Sequence, residues 1–231
     1  MKNYLKTYYS EEMRPKSDYP EKLVKYLVNK YLDDSHNLIL DVACGRGDQL
    51  RAFSKLGKQV TGIDIDEDAV EMCSPLSVIT HDVTRGEWPF QNGSFDVVFN
   101  KSIIEHLYSP ELLLDESHRV LRKDGLIITM CPSWSHMGWG PFFQDHTHVK
   151  PFIIPSLRDI HLKNGFEVLD ICHFRQLPIL WKFPWLKFFT EILRKLPIPY
   201  SPQNQISLPD KINKTIRFSN EVMLLCVARR V

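Results

Sequence analysis

Short apolar runs alternate with amphipathic helical patterns along most of this chain, and this alternation restricts the fold more than any other feature. The patterns typical of helices lie near 48–56, 66–73 and 110–122. The runs with strand length lie at 38–42, 59–63, 77–79, 95–99 and 126–130. A helix between two strands carries the chain back so that the strands run parallel. The alternation therefore predicts an α/β fold, a parallel sheet with helices on both faces.

The length of 231 residues fits one domain with additions. We expect residues 1–35 to form an N-terminal helical cap, because apolar residues recur at helical spacing after Pro20. Residues 132–150 lack any period, which is typical of a functional lid loop. Strands are predicted at 166–174 and 222–228, with an insertion over 177–218 between them. These expectations describe a single domain over 1–231.

Charge and composition narrow the classes of partner and compartment. Because 29 basic residues face 28 acidic ones, no strong positive field favours nucleic acid. The polar N-terminus has no signal-peptide core, and no apolar run is long enough for a membrane span. The five cysteines lack C-x-x-C spacing, which favours buried thiols in a reducing compartment over disulfides or a metal site. We therefore expect a cytoplasmic protein.

The first predicted strand ends in a glycine-containing turn, Asp41 to Gly47, with the sequence DVACGRG. It lacks the full G-x-G-x-x-G spacing of dinucleotide sites, so the glycines alone are weak evidence. Asp41 is more informative. A carboxylate beside a helix N-terminus repels a pyrophosphate but attracts a cationic ligand. S-adenosylmethionine carries an ammonium and a sulfonium and no phosphate, so Asp41 favours it over NAD.

Two further acids end the next two predicted strands. Asp64 follows Asp41 by 23 positions, where a carboxylate can accept both ribose hydroxyls. Asp82 lies after the third strand, in position for an adenine amino group. Taken singly, Gly45 could be a plain tight turn and Asp64 a helix N-cap. One acid at each of three successive strand ends favours a nucleoside-containing cofactor.

These residues resemble class I S-adenosylmethionine-dependent methyltransferases of the small-molecule type. The resemblance covers about residues 20–175 and includes the runs WPFQNGSFDVVFNKSIIEHL and RVLRKDGLIIT. It implies a Rossmann-like, doubly wound, seven-stranded sheet, mostly parallel, whose last strand is antiparallel. Ala43 stands where a glycine is common in the family. That departure is tolerable if the position needs no positive φ.

The resemblance also implies which residues bind the cofactor S-adenosylmethionine. The glycine turn would line the methionine part, Asp64 would hold the ribose, and Asp82 and Val83 the adenine. Residues just past the fourth strand would flank the methionine end. The full set is Asp41, Ala43, Cys44, Gly45, Gly47, Asp64, Ile65, Asp82, Val83, Asn100, Lys101 and Ser102.

The segment QDHTHVKPF resembles, less specifically, a D-x-x-H-x-x-x-F pattern of bacterial methyltransferases from surface-polysaccharide and natural-product clusters. We hypothesise that His146 or His148 accepts a proton from an acceptor hydroxyl during methyl transfer. The alternative is that Asp145 and His148 only brace the lid by bonding backbone groups. A metal site of both histidines with His136 lacks a supporting carboxylate, so no metal is expected.

Four aromatic residues of the predicted lid are expected to exclude water from the reaction. They are Trp134, Trp139, Phe142 and Phe143. The insertion contains a predicted helix that begins at Pro184 and has one apolar side flanked by lysines. This helix either lies on a membrane surface near a lipid-linked acceptor or packs on the domain and caps the acceptor pocket. We prefer the second alternative.

The sequence therefore predicts an enzyme that methylates a small-molecule or glycan-like acceptor, at oxygen, with a link to polysaccharide biosynthesis. Two other functions stay open. One is a catalytically silent S-adenosylmethionine-binding protein on the same fold. The other is an NAD(P)-dependent oxidoreductase, which Asp41 disfavours. The oligomeric state does not follow from the sequence.

Overall fold

The protein folds as a seven-stranded sheet covered by helices on both faces. The computed structural model describes residues 15–138, 140–200 and 210–231. The strand order is β3-β2-β1-β4-β5-β7-β6, and β7 runs antiparallel to both of its neighbours. All other neighbouring strands pair in parallel. The predicted fold class, including the antiparallel last strand, is confirmed.

The strands are β1 (Leu38–Val42), β2 (Gln59–Asp64), β3 (Ser77–Thr80), β4 (Phe95–Lys101), β5 (Leu121–Pro132), β6 (Phe166–Arg175) and β7 (Val222–Arg230). The helices are α1 (Tyr19–Tyr31), α2 (Asp48–Lys55), α3 (Asp68–Cys73), α4 (Glu111–Val120), α5 (Trp134–Met137), α6 (Ile154–Lys163), α7 (Ile179–Lys182), α8 (Lys187–Lys195) and α9 (Asp210–Asn220). Short 3-10 turns occur at Ile104–His106, Pro141–Gln144 and Pro184–Leu186.

Near-continuous apolar burial explains why these strands lie in the centre of the sheet. In β4 every residue except the last is buried, and in β7 the first seven residues are buried, as expected for strands with both faces covered. Leu40 and Val98 belong to the core on one face of the sheet, whereas Ile39 and Val97 belong to the core on the other. Two hydrophobic cores therefore fix the carboxyl ends of β1, β2 and β4 at one edge.

The structure differs from the sequence prediction around the fourth and fifth strands. β4 continues through Lys101, so Asn100 and Lys101 lie within the strand and not after it. Helix α4 ends at Val120, two residues before the end of the predicted helical pattern. Asp124 has a left-handed backbone, with φ +63°, in the first part of β5, where the pairing with β4 is irregular. Gly125 is required there for space, because a Cβ would lie 2.9 Å from the Arg122 carbonyl oxygen.

Residues 132–150, called the lid segment below, are more ordered than a structureless loop. The segment contains helix α5 and the 3-10 turn at 141–144. Ser133 pairs with Phe152 in an isolated bridge, and its amide donates to the Val222 carbonyl oxygen. These contacts tie the start of the lid segment to β7. Of its four predicted aromatic residues, Trp139 lies outside the described residues.

The insertion between β6 and β7 contains helices α7, α8 and α9. Trp181 packs against Tyr26 of α1 and Phe174 of β6, with ring centroids 5.1 and 5.2 Å apart. In the described parts of the chain, no helix combines the length and apolarity needed to cross a bilayer. Residues 1–14 of the predicted N-terminal cap and 201–209 of the predicted insertion lie outside the described residues.

Candidate functional site

The glycine turn after β1 contains three residues with positive φ. Ala43 has φ +58°, Gly45 +55° and Gly47 +76°. The condition under which Ala43 replaces the usual glycine without strain, a position with no positive φ, is therefore not met. A left-handed conformation costs an L-residue about 1–2 kcal/mol, and such strain is concentrated at functional sites. Gly47 is also required for close approach, since a Cβ there would lie 2.5 Å from the Cys73 sulfur.

Asp41 is a buried carboxylate with an unused acceptor. Its side chain is almost inaccessible, and its Oδ2 atom has no hydrogen-bond partner in the described structure. Burial, together with nearby Cys73 and Asp64, raises the pKa of Asp41 well above its ordinary value. A buried carboxylate of this kind is stabilised when a cation binds to it. The arrangement therefore fits the ammonium group of a methionine-containing ligand.

Asp64 links the second strand end to the glycine turn. Its Oδ2 accepts the Gly45 amide at 2.7 Å, and its Oδ1 accepts the Asp66 amide at 2.9 Å. Burial raises the pKa of Asp64, although these amide hydrogen bonds act in the opposite direction. Each carboxylate oxygen keeps acceptor capacity after one such bond. Asp64 can thus brace the turn and still accept ribose hydroxyls.

The residues predicted for the adenine differ in how they are held. Asp82 accepts hydrogen bonds from the amide and hydroxyl of Thr84, and its Oδ2 lies 3.1 Å from the Arg85 guanidinium. Burial alone would raise the pKa of Asp82, but these contacts outweigh it and lower the pKa. Val83 is buried, whereas the Ile65 side chain is 54% exposed. Ile65 therefore offers an apolar surface beside Asp64 that suits the face of a purine.

The end of β4 contributes three predicted residues in different ways. The Asn100 side chain turns into a buried network, where its Nδ2 donates to Thr129 Oγ1 at 3.0 Å. Lys101 interacts electrostatically with both Asp41 and Glu105, and its positive charge acts against the burial that raises the pKa of each. Ser102 has φ +58°, and its amide donates to the Met130 carbonyl oxygen. Strained backbone thus occurs after both β1 and β4.

Glu105 forms the centre of a second cluster, which the sequence analysis did not identify. The side chain is fully buried, and neither carboxyl oxygen has a hydrogen-bond partner among the described residues. His148 Nε2 lies 3.9 Å from Glu105 Oε1. Burial raises the pKa of Glu105 to about 8. The motif IIEHL after the fourth strand was the available signal, since an acid inside an apolar run has no place on a plain core element.

The imidazoles of this cluster are held through their Nδ1 atoms. His148 Nδ1 donates to the Phe142 carbonyl oxygen at 2.6 Å. His106 Nδ1 lies 2.8 Å from Thr147 Oγ1, which donates to Asp145 Oδ1. A carbonyl oxygen only accepts, so the neutral His148 ring carries its proton on Nδ1 and leaves the Nε2 lone pair available. The geometry therefore presents His148 Nε2 as a proton acceptor.

The other lid residues take different places. His146 is exposed. His136 packs against His173, with ring centroids 4.4 Å apart, and does not join His148. The rings of Trp134, Phe142 and Phe143 contact one another edge to face. Phe142 is buried, also lies against the His148 ring, and so shields it from water on that side.

A group able to hold a metal ion occurs in the described part of the chain, although no metal was expected. One ligand atom each from Glu105, His106 and His148 lies within 4.8 Å of the others. Both histidines are held at Nδ1 by an oxygen atom, as metal-ligating histidines are. The cluster can therefore serve as a proton-accepting site or as a cation site. The combination of His136, His146 and His148 is not brought together.

Known proteins are similar in sequence to part of this chain. Residues 40–129 match the model of a family described as "methyltransferase domain". A probable S-adenosylmethionine-dependent methyltransferase of Mycobacterium tuberculosis is 32% identical over 158 residues, which are 57% of this chain and 58% of that protein. A ubiquinone biosynthesis O-methyltransferase of Bartonella bacilliformis is 27% identical over 150 residues, which are 57% of this chain and 60% of that protein. The chain thus spans about 60% of the length of these curated relatives.

The fold is shared over a longer stretch than the sequence similarity. The crystal structure of a SAM-dependent methyltransferase from Archaeoglobus fulgidus aligns with a TM-score of 0.67 and 21% identity, covering 97% of this chain and 99% of that one. At this identity the alignment establishes the fold alone. The aligned family region, 40–129, contains the acids at all three strand ends and the Glu105–His106 pair, but not the lid segment or the insertion.

Proposed function

The chain contains a class I S-adenosylmethionine-dependent methyltransferase domain, and on this premise we propose that it methylates a hydroxyl group of a small-molecule or glycan-like acceptor. The buried, unpartnered oxygen of Asp41 carries the cofactor part of this proposal. An ammonium group satisfies it, whereas a pyrophosphate is repelled by the same carboxylate. Gly45, Gly47 and Asp64 complete the cofactor surface at the ends of β1 and β2.

S-adenosylmethionine supplies a methyl group on a sulfonium, which is electrophilic without further activation. The residues of this chain therefore have two tasks, to orient the acceptor and to receive its proton. Desolvation and positioning provide most of the acceleration in such a site. Phe142, which packs against Trp134, excludes water on one side of His148. The charge of Lys101 acts on both the Asp41 and the Glu105 carboxyl groups.

His148 is the proton acceptor in this proposal. Its Nδ1–H is fixed on the Phe142 carbonyl oxygen, so the proton of the acceptor hydroxyl goes to Nε2. The resulting imidazolium lies 3.9 Å from Glu105 Oε1. A positive charge at this distance lowers the pKa of Glu105 and favours its ionised form, which then stabilises the imidazolium. His146 is exposed and takes no part.

Two observations support an oxygen acceptor and leave its identity open. A relative that aligns with 57% of this chain, at 27% identity, is named an O-methyltransferase. A buried imidazole beside a carboxyl group suits a hydroxyl, whose proton must leave as the methyl group arrives. The resemblance of QDHTHVKPF to methyltransferases of polysaccharide clusters favours a sugar hydroxyl.

The cofactor is tested first. S-adenosylhomocysteine should raise the melting temperature, and NAD should not, because a ligand of the native state stabilises it by about 2.7 kcal/mol at a hundredfold excess over its Kd. An increase with NAD alone would contradict the charge argument about Asp41 and favour an oxidoreductase. Binding of S-adenosylhomocysteine without any transfer of labelled methyl groups to glycosides or catechols would favour a silent binding protein.

The proton acceptor is tested with two histidine variants. His148→Ala should lower kcat by about a hundredfold or more. The matched control is His146→Ala, two positions away and exposed, which should leave kcat unchanged. Both variants should keep their affinity for S-adenosylhomocysteine. Equal kcat for both variants would show that His148 only braces the lid segment.

A further inference from the structure

The insertion carries a contiguous apolar surface that the rest of the described chain does not cover. Seven large apolar side chains of α7, α8 and the turn between them are between 42% and 67% exposed. They form the insertion face, defined as Ile179, Phe183, Trp185, Phe188, Phe189, Ile192 and Leu196. Single exposed apolar residues are ordinary, but a contiguous patch marks an interaction surface.

Three aromatic residues of the insertion face contact one another, and all seven of its side chains are exposed. Trp185 and Phe188 each contact the Phe189 ring, with centroids 6.1 and 5.8 Å apart. On the opposite side of α8, Thr190 is buried and Glu191 pairs with the guanidinium of Arg175 in β6. The helix is thus attached to the sheet by its polar side. This arrangement is the reverse of a helix that packs its apolar side on the domain, the alternative preferred from sequence.

Basic residues outnumber acidic ones in the segment that carries the insertion face, and three of them, Lys182, Lys187 and Lys195, are exposed. Residues 171–200 contain Arg175, Lys182, Lys187, Arg194 and Lys195, and only one acid, Glu191. That acid already pairs with Arg175 and Arg194. The chain as a whole has a formal charge of +1, so this concentration of cations is local. An exposed apolar surface with an excess of lysine and arginine is complementary to an anionic lipid interface.

We propose that the insertion face docks on the surface of an anionic lipid bilayer. Trp185 and the phenylalanines enter the boundary between headgroups and acyl chains, while Lys182 and Lys187 reach the lipid phosphates. A second copy of the chain is the less suitable occupant. A two-fold symmetric contact brings the same lysine-rich surface of both copies together, and Glu191, the one acid among the described residues 171–200, already pairs with Arg175 and Arg194.

Docking in this orientation leaves the lid segment on the other side of α8 from the lipid, one helix away. Arg194 of α8 lines a cavity of about 510 Å³ together with His136 and Pro141 of the lid segment. If the protein has the proposed function, its acceptor is then an amphiphile whose polar part enters the site from the interface. This consequence rests on the proposed function. The binding of lipid does not, because it needs neither cofactor nor turnover.

Flotation of the full-length protein with vesicles tests the docking. Wild type should float with vesicles that contain phosphatidylglycerol, less with phosphatidylcholine alone, and less at high salt. Phe188→Glu should lower the fraction bound by about tenfold or more. Lys187→Gln should lower it by about fivefold. The matched control is Leu162→Glu on α6, a leucine that is also exposed, which should bind like wild type.

Circular dichroism and the melting shift with S-adenosylhomocysteine show whether each variant is folded and binds cofactor. Equal flotation of wild type and Phe188→Glu would overturn the proposal, as would no binding to either vesicle. Sedimentation of the protein without lipid tests whether a second copy of the chain binds the insertion face. A dimer abolished by Phe188→Glu would assign the insertion face to a second copy. Vesicle binding by a protein without methyl transfer would leave the docking standing and count only against the proposed function.

Discussion

Glu105 gives the sharpest physical prediction, because a buried carboxyl group makes stability depend on pH. Its pKa is about 8 in the folded protein, against an ordinary value of 4.5, and burial is the cause. Between these pH values the folded protein holds a proton that the unfolded chain releases. Because the folded state binds more protons, the free energy of unfolding falls as the pH rises through this window. The loss begins near 4.5 and is complete above about 8.

The magnitude follows from the proton count. One proton corresponds to at most about 1.4 kcal/mol for each pH unit, and to about 5 kcal/mol over the whole window. Glu105→Gln replaces the protonated carboxyl with a neutral group of the same shape. The variant should match wild type at acidic pH. With rising pH, the free energy of unfolding of the variant should fall less steeply than that of wild type. The two slopes should differ by at most the contribution of one proton, about 1.4 kcal/mol for each pH unit.

Urea denaturation in buffers from about pH 5 to about pH 8 measures this difference. Asp41 and Asp64 also have raised pKa values, so the difference between wild type and variant is the quantity of interest. Glu111→Gln is the control, since the Glu111 side chain is half exposed. The free energy of unfolding of this variant should change with pH as it does in wild type. Parallel profiles for wild type and Glu105→Gln would refute the reasoning.

The same experiment separates the two uses of the Glu105 cluster. A divalent cation held by Glu105, His106 and His148 keeps the carboxylate ionised, so the slope would appear only with a chelator present. The proposed proton transfer at His148 predicts the same slope with and without chelator, and activity that survives chelation. A slope and an activity that both respond to added Mg²⁺ or Zn²⁺ would assign the cluster to a metal instead.

Three further substitutions test the cofactor turn. Asp41→Asn should weaken S-adenosylhomocysteine binding by about tenfold to a hundredfold in calorimetry, the worth of a hydrogen bond to a charged group. It should also stabilise the free protein at neutral pH, because the raised pKa of Asp41 makes ionisation costly above its ordinary value; unchanged affinity would contradict the assignment. Ala43→Gly should stabilise the protein by about 0.5–1 kcal/mol, because relief of the strain of the positive φ exceeds the entropy cost of glycine. The control is Ala52→Gly inside α2, which should destabilise the protein by a similar amount. Gly47→Ala should destabilise the protein by at least about 1 kcal/mol through its positive φ and the clash with Cys73, and a neutral result in urea would refute the close approach.

The fold and the acids at the strand ends were predictable because they depend on local pattern. The runs LILDV and QVTGID show the apolar pattern of covered strands, and each carries its acid, Asp41 or Asp64, at or next to its last residue. The strain at Ala43 was not predictable, since nothing in the sequence specifies the φ of a single non-glycine residue. The role of Gly125 was not predictable for a related reason, as it depends on a carbonyl group of Arg122 that only the folded chain brings near.

The Glu105 cluster could not be assembled from sequence. His106 and His148 are separated by 41 residues in the sequence. The hydrogen bond between Thr147 and His106 holds them together in the fold. The amides of Val149 and Lys150 donate to the Glu105 carbonyl oxygen and fix the lid segment at this place. The insertion was misjudged because an amphipathic pattern specifies two sides of a helix without saying which side faces the domain. The Arg175–Glu191 pair decides that orientation, and it joins two separate elements.

The carboxyl edge of the sheet gathers features that each lower stability. Asp41 and Glu105 are buried, and among the described residues Asp41 Oδ2 and both carboxyl oxygens of Glu105 have no hydrogen-bond partner. Ala43 and Ser102 have positive φ. Selection for stability alone would remove them, since an apolar isostere or a glycine is better at each position. Their concentration near the carboxyl ends of β1 and β4 is explained if a bound ligand offsets the cost. Under the proposed function, the ammonium group of the cofactor pairs with Asp41, and the proton that His148 accepts brings a positive charge next to Glu105.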